Sequence, residues 1–254
     1  MKGLAMKKPF ENNLVAGALA LLALLAQAPA RAQIIQGVTE VTPYSFLQGG
    51  RVGGPATEIV EATLQRAGLD DYRIGIYPWA RAYDLALKEP NVLIYLIART
   101  PAREAQFKWV GEFMRIDYFF YKLRSRTEVT LNQPDDARAY VIGVTRDDVR
   151  HQHLQAKGYT KLVVSGQNSD NFSKLLNGQV QLLVLPENDA AVLCQEAQFN
   201  CDGLQKLALL DSLATSLYMA FSVATPDATV DRARRAFETL KAEGALRKMA
   251  AGRR

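Results

Sequence analysis

The sequence has few of the residues that build disulfide scaffolds and metal centres. Its 254 residues include two cysteines and two histidines. The histidines, His151 and His153, are two positions apart on a predicted helix and do not share a face, which argues against a metal site. The sequence also lacks the GxSxG elbow of hydrolases, the phosphate-binding P-loop and the HExxH zinc motif. We therefore expect neither a metal nor a cofactor.

No hydrophobic run in the sequence is long enough to cross a bilayer. The run over residues 14–25 has about 12 residues, whereas a spanning helix needs roughly 20. Lysines precede it and an Ala-Arg-Ala sequence follows it, which is the pattern of a cleaved secretory signal. A buried N-terminal helix, the alternative, does not account for those flanks. We predict a signal peptide over residues 1–32 and a mature protein in the periplasm.

The charge of the chain gives little support to nucleic-acid binding. Removing the predicted signal peptide takes away four cations and one anion, so the net charge falls from +5 to +2. No basic stripe with interleaved aromatic residues is present in the rest of the sequence. We expect no nucleic-acid partner.

The two cysteines, Cys194 and Cys201, are close together in the sequence CQEAQFNC. An oxidising compartment permits disulfides, so in an exported protein this pair predicts a local bridge that pins a surface loop. The spacing matches neither a redox CxxC motif nor a zinc site. Two free, buried thiols are the alternative.

The hydrophobic pattern predicts an α/β fold made of two similar units. Strands are expected at residues 34–41, 72–77 and 92–98, with helices between them that end at Gly68 and before Pro90. The run at 92–98 is continuously apolar, as in a strand of a parallel sheet that is buried on both faces. A second unit follows, with strands expected at 117–123, 140–145, 161–165 and 180–185.

Several short motifs occur in a specific order along the chain. They are TPYSF at 42–46, PWARA at 78–82, ARTPAREAQFKWVGEF at 98–113, YVIGVTRDD at 140–148, LLNGQVQLLVL at 175–185 and the closing LYMAFS and ALRKM. Their order and spacing resemble those of the type II periplasmic solute-binding proteins, in particular the polar amino-acid receptors (family 3) of ABC transporters. The resemblance covers most of the mature chain.

This resemblance implies two Rossmann-like lobes joined by two crossover hinge strands, with a ligand held in the cleft between the lobes. Lobe one would comprise residues 33–122 and 219–254, and lobe two residues 123–218. The crossover strands would lie at 118–123 and 218–223. Such proteins close around their ligand by a hinge motion.

The resemblance also points to ligand-binding residues. Arg103 matches the arginine that binds the ligand's carboxylate, and a guanidinium fits a carboxylate through two parallel hydrogen bonds. Tyr44 and Trp79 match aromatic positions of the cleft. The alternatives are a surface arginine that pairs with Glu104 or Glu112, and ordinary core packing for the two aromatic residues.

Further residues complete the predicted binding set. Arg81 would add a second cation beside Trp79, and Tyr95 would contribute from the apolar strand. Pro186 occupies the position of the aspartate that binds the ligand's ammonium group in the family, and proline cannot replace it. Asp147, Asp148 and Glu187 are therefore the candidate replacements, although Asp147 fits a helix N-cap and Glu187 fits a loop residue equally well.

The resemblance implies a monomeric solute-binding protein and not an enzyme. It would capture a small carboxylate-bearing ligand, an amino acid or related organic acid, for an inner-membrane ABC permease. One alternative is a periplasmic enzyme of the same fold that resembles cyclohexadienyl dehydratases, with Glu187 as its acid-base residue. The other is a soluble receptor that hands its ligand to a separate sensor protein.

Overall fold

The computed structural model describes residues 34–210, 213 and 215–247. The predicted signal peptide therefore lies outside the described residues. Within the described part of the chain, no helix is both long enough and apolar enough to cross a membrane.

The described chain alternates between strands and helices. The strands are β1 (Ile35–Thr39), β2 (Phe46–Gln48), β3 (Arg51–Gly53), β4 (Tyr72–Ile76), β5 (Val92–Ala98), β6 (Phe107–Ile116), β7 (Phe119–Leu123), β8 (Ile142–Thr145), β9 (Leu162–Ser165), β10 (Leu182–Leu185), β11 (Leu204–Leu209) and β12 (Thr215–Ser222). The helices are α1 (Pro55–Arg66), α2 (Trp79–Lys88), α3 (Val149–Ala156), α4 (Asn168–Leu176), α5 (Glu187–Glu196) and α6 (Asp227–Ala242). Short 3-10 helices span Pro101–Gln106, Pro134–Ala139 and Cys201–Gly203.

Two five-stranded sheets form the framework, which confirms the predicted two-lobed α/β fold. The first sheet has the strand order β4-β1-β5-β12-β6, and we call it, with helices α1, α2 and α6, lobe one. The second has the order β11-β7-β10-β8-β9 and forms lobe two with helices α3, α4 and α5. In each sheet a parallel core is extended by antiparallel strands: β12 pairs antiparallel with β5, and β7 with β10.

Each sheet is covered by apolar side chains on both faces. In lobe one, helix α2 packs on β1, β5 and β12, while α1 and α6 contribute Leu64 and Phe237 to a separate cluster. In lobe two, helix α4 contributes Phe172 to one cluster, and α3 contributes Leu154 to another. The three-layer arrangement buries the sheets and leaves the ends of the strands free to form a site.

The chain passes between the two sheets twice, at slightly different points from those expected. The first passage lies between β6 and β7, and the second between β11 and β12. Residues 119–122 therefore belong to the second sheet, although they were expected in lobe one. Residues 215–218 belong to the first sheet, although they were expected in lobe two. The expected second crossover, 218–223, lies mostly within β12, and the chain crosses before that strand begins.

Strand β5 carries a bulge at the residue that faces the site. Tyr95 pairs with Met219 and Ile97 pairs with Tyr218, so Leu96 is the extra residue on β5. Leu96 has φ of 60°, a left-handed backbone that a leucine rarely adopts. Bulges of this kind change the direction of side chains near functional sites. Here the bulge brings Leu96 and Ala98 to the lining of the cavity between the lobes.

Candidate functional site

A small cavity of about 40 Å³ lies where residues of the two lobes meet. Lobe one contributes Glu40, Tyr44, Trp79, Ala98 and Arg103, lobe two contributes Asp148, Arg150, Pro186 and Asp189, and Tyr118 comes from the first passage between the sheets. Most of these residues follow the carboxyl ends of parallel strands β1, β5, β8 and β10. Ligands of open α/β sheets bind at that edge.

Arg103 is the largest fully buried side chain of the described chain, with 1% of its surface exposed. It lies in the 3-10 helix that follows β5. Its Nη1 donates a hydrogen bond to the carbonyl of Ala98 (3.1 Å), and its Nη2 donates to the carbonyl of Asp147 in lobe two (2.6 Å). Its Nε has no hydrogen-bond partner among the described residues. A buried cation therefore keeps one donor group available.

Aromatic rings hold the Arg103 guanidinium in place. Its central carbon lies 4.9 Å from the centre of the Tyr83 ring and 5.7 Å from that of the Trp79 ring. The two rings are stacked with centroids 5.7 Å apart, and the Tyr83 hydroxyl donates to Gln106 at 2.8 Å. Contacts of a guanidinium with ring faces are attractive and gain strength when water is excluded.

An ion pair in lobe two forms the opposite wall of the cavity. Arg150 Nε donates to Asp148 Oδ1 at 2.5 Å, and both side chains are less than a tenth exposed. Asp148 also caps helix α3 by accepting from the Arg150 backbone N–H. The other two nitrogens of the Arg150 guanidinium also donate hydrogen bonds, Nη1 to the Val184 carbonyl and Nη2 to Asn168 Oδ1. Arg150 thus has protein partners for all three nitrogens, unlike Arg103.

The charges of this pair shift the pKa values of its own members. Burial works against the charged form of Asp148, but Arg150 more than offsets it and holds the Asp148 pKa below its usual range. Burial likewise opposes the charge of Arg150, and the adjacent Asp148 carboxylate reverses this, so the Arg150 pKa is raised. Both groups are charged at neutral pH.

Two other carboxyl groups in the cavity have raised pKa values. Burial raises the pKa of Glu40 to about 8, although Arg150 partly opposes the shift. Burial also raises the pKa of Asp189 to about 6, again with Arg150 opposing. At pH 7 Glu40 is therefore mostly neutral and Asp189 mostly ionised. Together with Arg103 and the ion pair, the lining carries balanced charge.

A second cavity of about 180 Å³ adjoins the first and shares Glu40, Thr42 and Asp189 with it. Asn168 and the exposed Glu196 also line it. Its charged lining residues are all acidic, so it suits a polar or cationic group. The smaller cavity has room for a group about the size of a carboxylate.

Hydrogen bonds between described residues connect the two lobes around the cavities. Besides the bond from Arg103 to the Asp147 carbonyl, Asn188 Nδ2 donates to the Tyr44 hydroxyl at 2.8 Å. Asn168 Nδ2 donates to Glu40 Oε2 at 3.3 Å, and the Ala80 backbone N–H donates to the Gly166 carbonyl at 3.4 Å. The lobes are therefore in contact across the cleft.

The structure places some of the predicted binding residues at the cavity and others away from it. Arg103, Tyr44 and Trp79 line it. Arg103 is buried and forms neither alternative surface ion pair, because Glu104 pairs with Arg99 at 2.6 Å and Glu112 accepts a hydrogen bond from the Tyr218 hydroxyl at 3.2 Å. The prediction that Tyr95 faces the ligand is not supported, since it is fully buried in lobe one and hydrogen-bonds with the hydroxyls of Ser45 and Thr57.

Three further predicted residues differ from expectation in position or in the group they use. Arg81 is exposed, and its guanidinium lies 5.3 Å from the centre of the Tyr77 ring. Glu187 is exposed and pairs with Lys206 at 2.8 Å, so it does not line the cavity as an acid-base residue would. Asp147 contributes its backbone carbonyl, while the cap of helix α3 is Asp148.

The carboxylate that faces the cavity from helix α5 is Asp189, which the sequence pattern did not identify. Pro186 is the N-cap of the helix and Asp189 is its third residue. The N-cap and the third residue of a helix are both in its first turn, so Asp189 is close to the position that Pro186 occupies. Asp148, one of the candidate replacements, does line the cavity. Glu40 and Arg150 were not predicted, although they too follow the carboxyl ends of parallel strands. That position is the signal that identifies them.

The predicted disulfide between Cys194 and Cys201 is confirmed, with Cα atoms 5.5 Å apart. It joins the last turns of helix α5 to the 3-10 helix that precedes β11. Helix α5 carries Asn188 and Asp189 at its other end, so the bridge anchors an element of the site.

No family model and no curated protein sequence matches this chain. Solved structures share its fold. A histidine kinase sensor domain with similarity to periplasmic binding proteins has a TM-score of 0.73 and 17% identity, covering 87% of this chain and 95% of its own. The substrate-binding protein of an amino acid ABC transporter has a TM-score of 0.71 and 16% identity over 85% and 96% of the two chains.

A third similar structure is the arginine-, lysine- and histidine-binding protein ArtJ of Geobacillus stearothermophilus. Its TM-score is 0.71 and its identity 15%, over 84% of this chain and 91% of its own. All three structures are less than 20% identical in sequence to this chain, so the similarity shows the fold alone. The chain has the fold of the type II periplasmic binding proteins.

Proposed function

We propose that this protein is a periplasmic solute-binding protein that captures a small carboxylate-bearing ligand, an amino acid or related organic acid, between its lobes. The observation that carries the proposal is Arg103: a fully buried cation at the meeting point of two lobes with Nε free of any described protein partner. Leaving a buried donor unpaired is costly, and a bound anion removes that cost.

The ligand's carboxylate is assigned to the cavity beside Arg103. The two Nη groups are fixed by the Ala98 and Asp147 carbonyls, so the guanidinium cannot turn to meet a ligand elsewhere. A carboxylate on Nε gains a charge-assisted hydrogen bond in a site from which water is excluded.

The rest of the ligand is assigned to the acidic side of the cleft. Asp189 lines both cavities. We assign to it the role of the aspartate that binds the ligand's ammonium group in the family, whose position Pro186 occupies in this chain. An ammonium group beside it would lower its raised pKa and complete its charge pairing. Because the lining is balanced in charge at pH 7, a zwitterion suits it better than a simple anion. Glu40 and Glu196 extend the acidic lining and favour a polar or basic side chain.

Delivery to an inner-membrane ABC permease is part of the proposal. The fold is shared with the substrate-binding protein of an amino acid ABC transporter and with ArtJ. The hydrogen bonds between the lobes support a closed form that a permease would recognise, and we propose that the protein acts as a monomer.

A second candidate is a soluble receptor whose ligand-bound form signals to a sensor protein. The likeness to a histidine kinase sensor domain favours it, and the same cleft would serve. Co-purification from membranes in the presence of ligand separates the two candidates, because a permease and a kinase are readily told apart by mass spectrometry.

A thermal-shift screen of the twenty standard amino acids and small organic acids tests the binding proposal. A ligand at 100 times its dissociation constant stabilises the protein by about 2.7 kcal/mol. Arg103→Ala should weaken the best ligand by roughly ten- to hundredfold, since hydrogen bonds to charged groups contribute about 1.5–3 kcal/mol.

The matched control is Arg81→Ala, which removes an exposed arginine outside the cavity. It should bind as the wild type does. If no carboxylate-bearing compound stabilises the protein, or if Arg103→Ala binds as tightly as Arg81→Ala, the proposal is wrong.

A further inference from the structure

We propose that the indole N–H of Trp79 is a second donor to the ligand's carboxylate, so that Trp79 sets the preference for a carboxylate over a carboxamide. This inference rests on the proposed function. It assigns Trp79 a polar role in addition to the aromatic role predicted from sequence.

The first observation is an unpaired donor in the cavity wall. Trp79 is 3% exposed and lines the smaller cavity, yet its Nε1 has no hydrogen-bond partner among the described residues. The other tryptophan of the chain, Trp109, behaves differently, because its Nε1 donates to the Glu104 carbonyl at 3.2 Å. Buried indole N–H groups normally have such a partner.

The second observation is the position of Trp79 relative to Arg103. The two side chains line the same cavity, and the guanidinium carbon lies 5.7 Å from the centre of the Trp79 ring. The two donors without described partners thus belong to neighbouring side chains in one cavity wall. A carboxylate has two acceptor oxygens, so one carboxylate in this cavity can accept from both donors, with one oxygen for each.

The third observation is that both donors are held in place. Trp79 is the first residue of helix α2, and its ring stacks on Tyr83. The Arg103 Nη groups are bound to two carbonyls. Neither donor can turn easily to another acceptor, so an acceptor must come to them.

Two fixed donors distinguish a carboxylate from a carboxamide. A carboxylate offers two acceptor oxygens, whereas a carboxamide offers one and places an NH₂ donor against the remaining N–H. A site built for hydrogen bonding rejects an analogue that leaves its buried groups unpaired. Trp79 and Arg103 together should thus favour a carboxylate over a carboxamide more strongly than Arg103 alone.

The test compares Trp79→Phe with the wild type, because phenylalanine keeps an aromatic ring for packing and removes only the donor. Isothermal titration measures the binding of amino acids and their carboxamides, beginning with L-arginine and L-argininamide. The variant should bind the amino acid about tenfold more weakly and the carboxamide within twofold of the wild type. Its carboxylate preference should therefore fall about tenfold.

Trp109→Phe is the control, and it should keep both affinities because its ring lies outside the cavity. The inference is overturned if Trp79→Phe keeps the wild-type ratio, or if both probes weaken equally, which would indicate lost packing alone. Wild-type protein that binds none of the twenty amino acids and none of the small organic acids would instead overturn the proposed function, and this inference with it.

Discussion

Removing the Asp148 carboxylate should destabilise the protein strongly. Asp148 and Arg150 form an ion pair whose side chains are 9% and 6% exposed. Asp148→Ala leaves the Arg150 charge buried without its carboxylate partner. Breaking a buried pair in this way costs about 3–5 kcal/mol, whereas exposed pairs contribute about 0–1 kcal/mol.

The magnitude has two sources in the structure. Asp148 also caps helix α3, and the loss of such a cap costs about 1 kcal/mol by itself. Asp148→Asn keeps an acceptor for the helix cap but removes the negative charge, so it should lower the free energy of unfolding by most of the amount that Asp148→Ala does. For a protein of this size about 3–5 kcal/mol corresponds to a fall in Tm of roughly 6–20 °C.

Urea denaturation at pH 7, followed by circular dichroism, measures the effect. The matched control is Asp231→Ala, which breaks the exposed pair of Asp231 and Arg234 (2.7 Å) and should cost less than about 1 kcal/mol. The double variant Asp148→Ala/Arg150→Met should recover much of the loss, because it removes the unpaired charge as well. Equal costs for Asp148→Ala and Asp231→Ala would refute the reasoning.

Two other changes give distinct outcomes. Because the Glu40 pKa is raised from 4.5 to about 8, its contribution to the free energy of unfolding is full below pH 4.5 and is lost as the pH rises to about 8. Glu40→Gln should therefore flatten the stability profile between pH 6 and 8, and an unchanged profile would contradict the assignment. Replacing Cys194 and Cys201 by alanine removes the bridge that constrains the unfolded chain. The free energy of unfolding, measured with urea, should therefore fall by about 2–3 kcal/mol. A loss below 1 kcal/mol would argue that the bridge adds little.

The positions at which the buried strands end could be predicted, because each of these strands is a run of hydrophobic residues in the sequence. Strand β5 was predicted over 92–98, and all seven of its residues are buried. Arg103 follows it by a short turn, so its location near the site also follows from sequence. Strand β6 was not predicted, because its pairing with β12 shifts register twice and breaks the alternation that marks a strand.

The details that define the site depend on contacts that sequence spacing does not encode. The bulge at Leu96 reverses the direction of the side chains after it, and no local signal marks it. The role of Asp147 also could not be predicted, since it acts through a backbone carbonyl in a left-handed turn (φ 60°). Asp189 required knowing that helix α5 begins at Glu187.

Under the proposed function, the bond from Arg103 to the Asp147 carbonyl would make ligand binding and closure of the lobes parts of one equilibrium. The residue assigned to the ligand also links the lobes, so the proposed site is complete only when the two lobes are in contact. The measured affinity is the intrinsic affinity multiplied by the closed fraction. Asn188 joins Tyr44 across the cleft and lines neither cavity, so a change at Asn188 would alter the affinity through closure and not through contact with the proposed ligand.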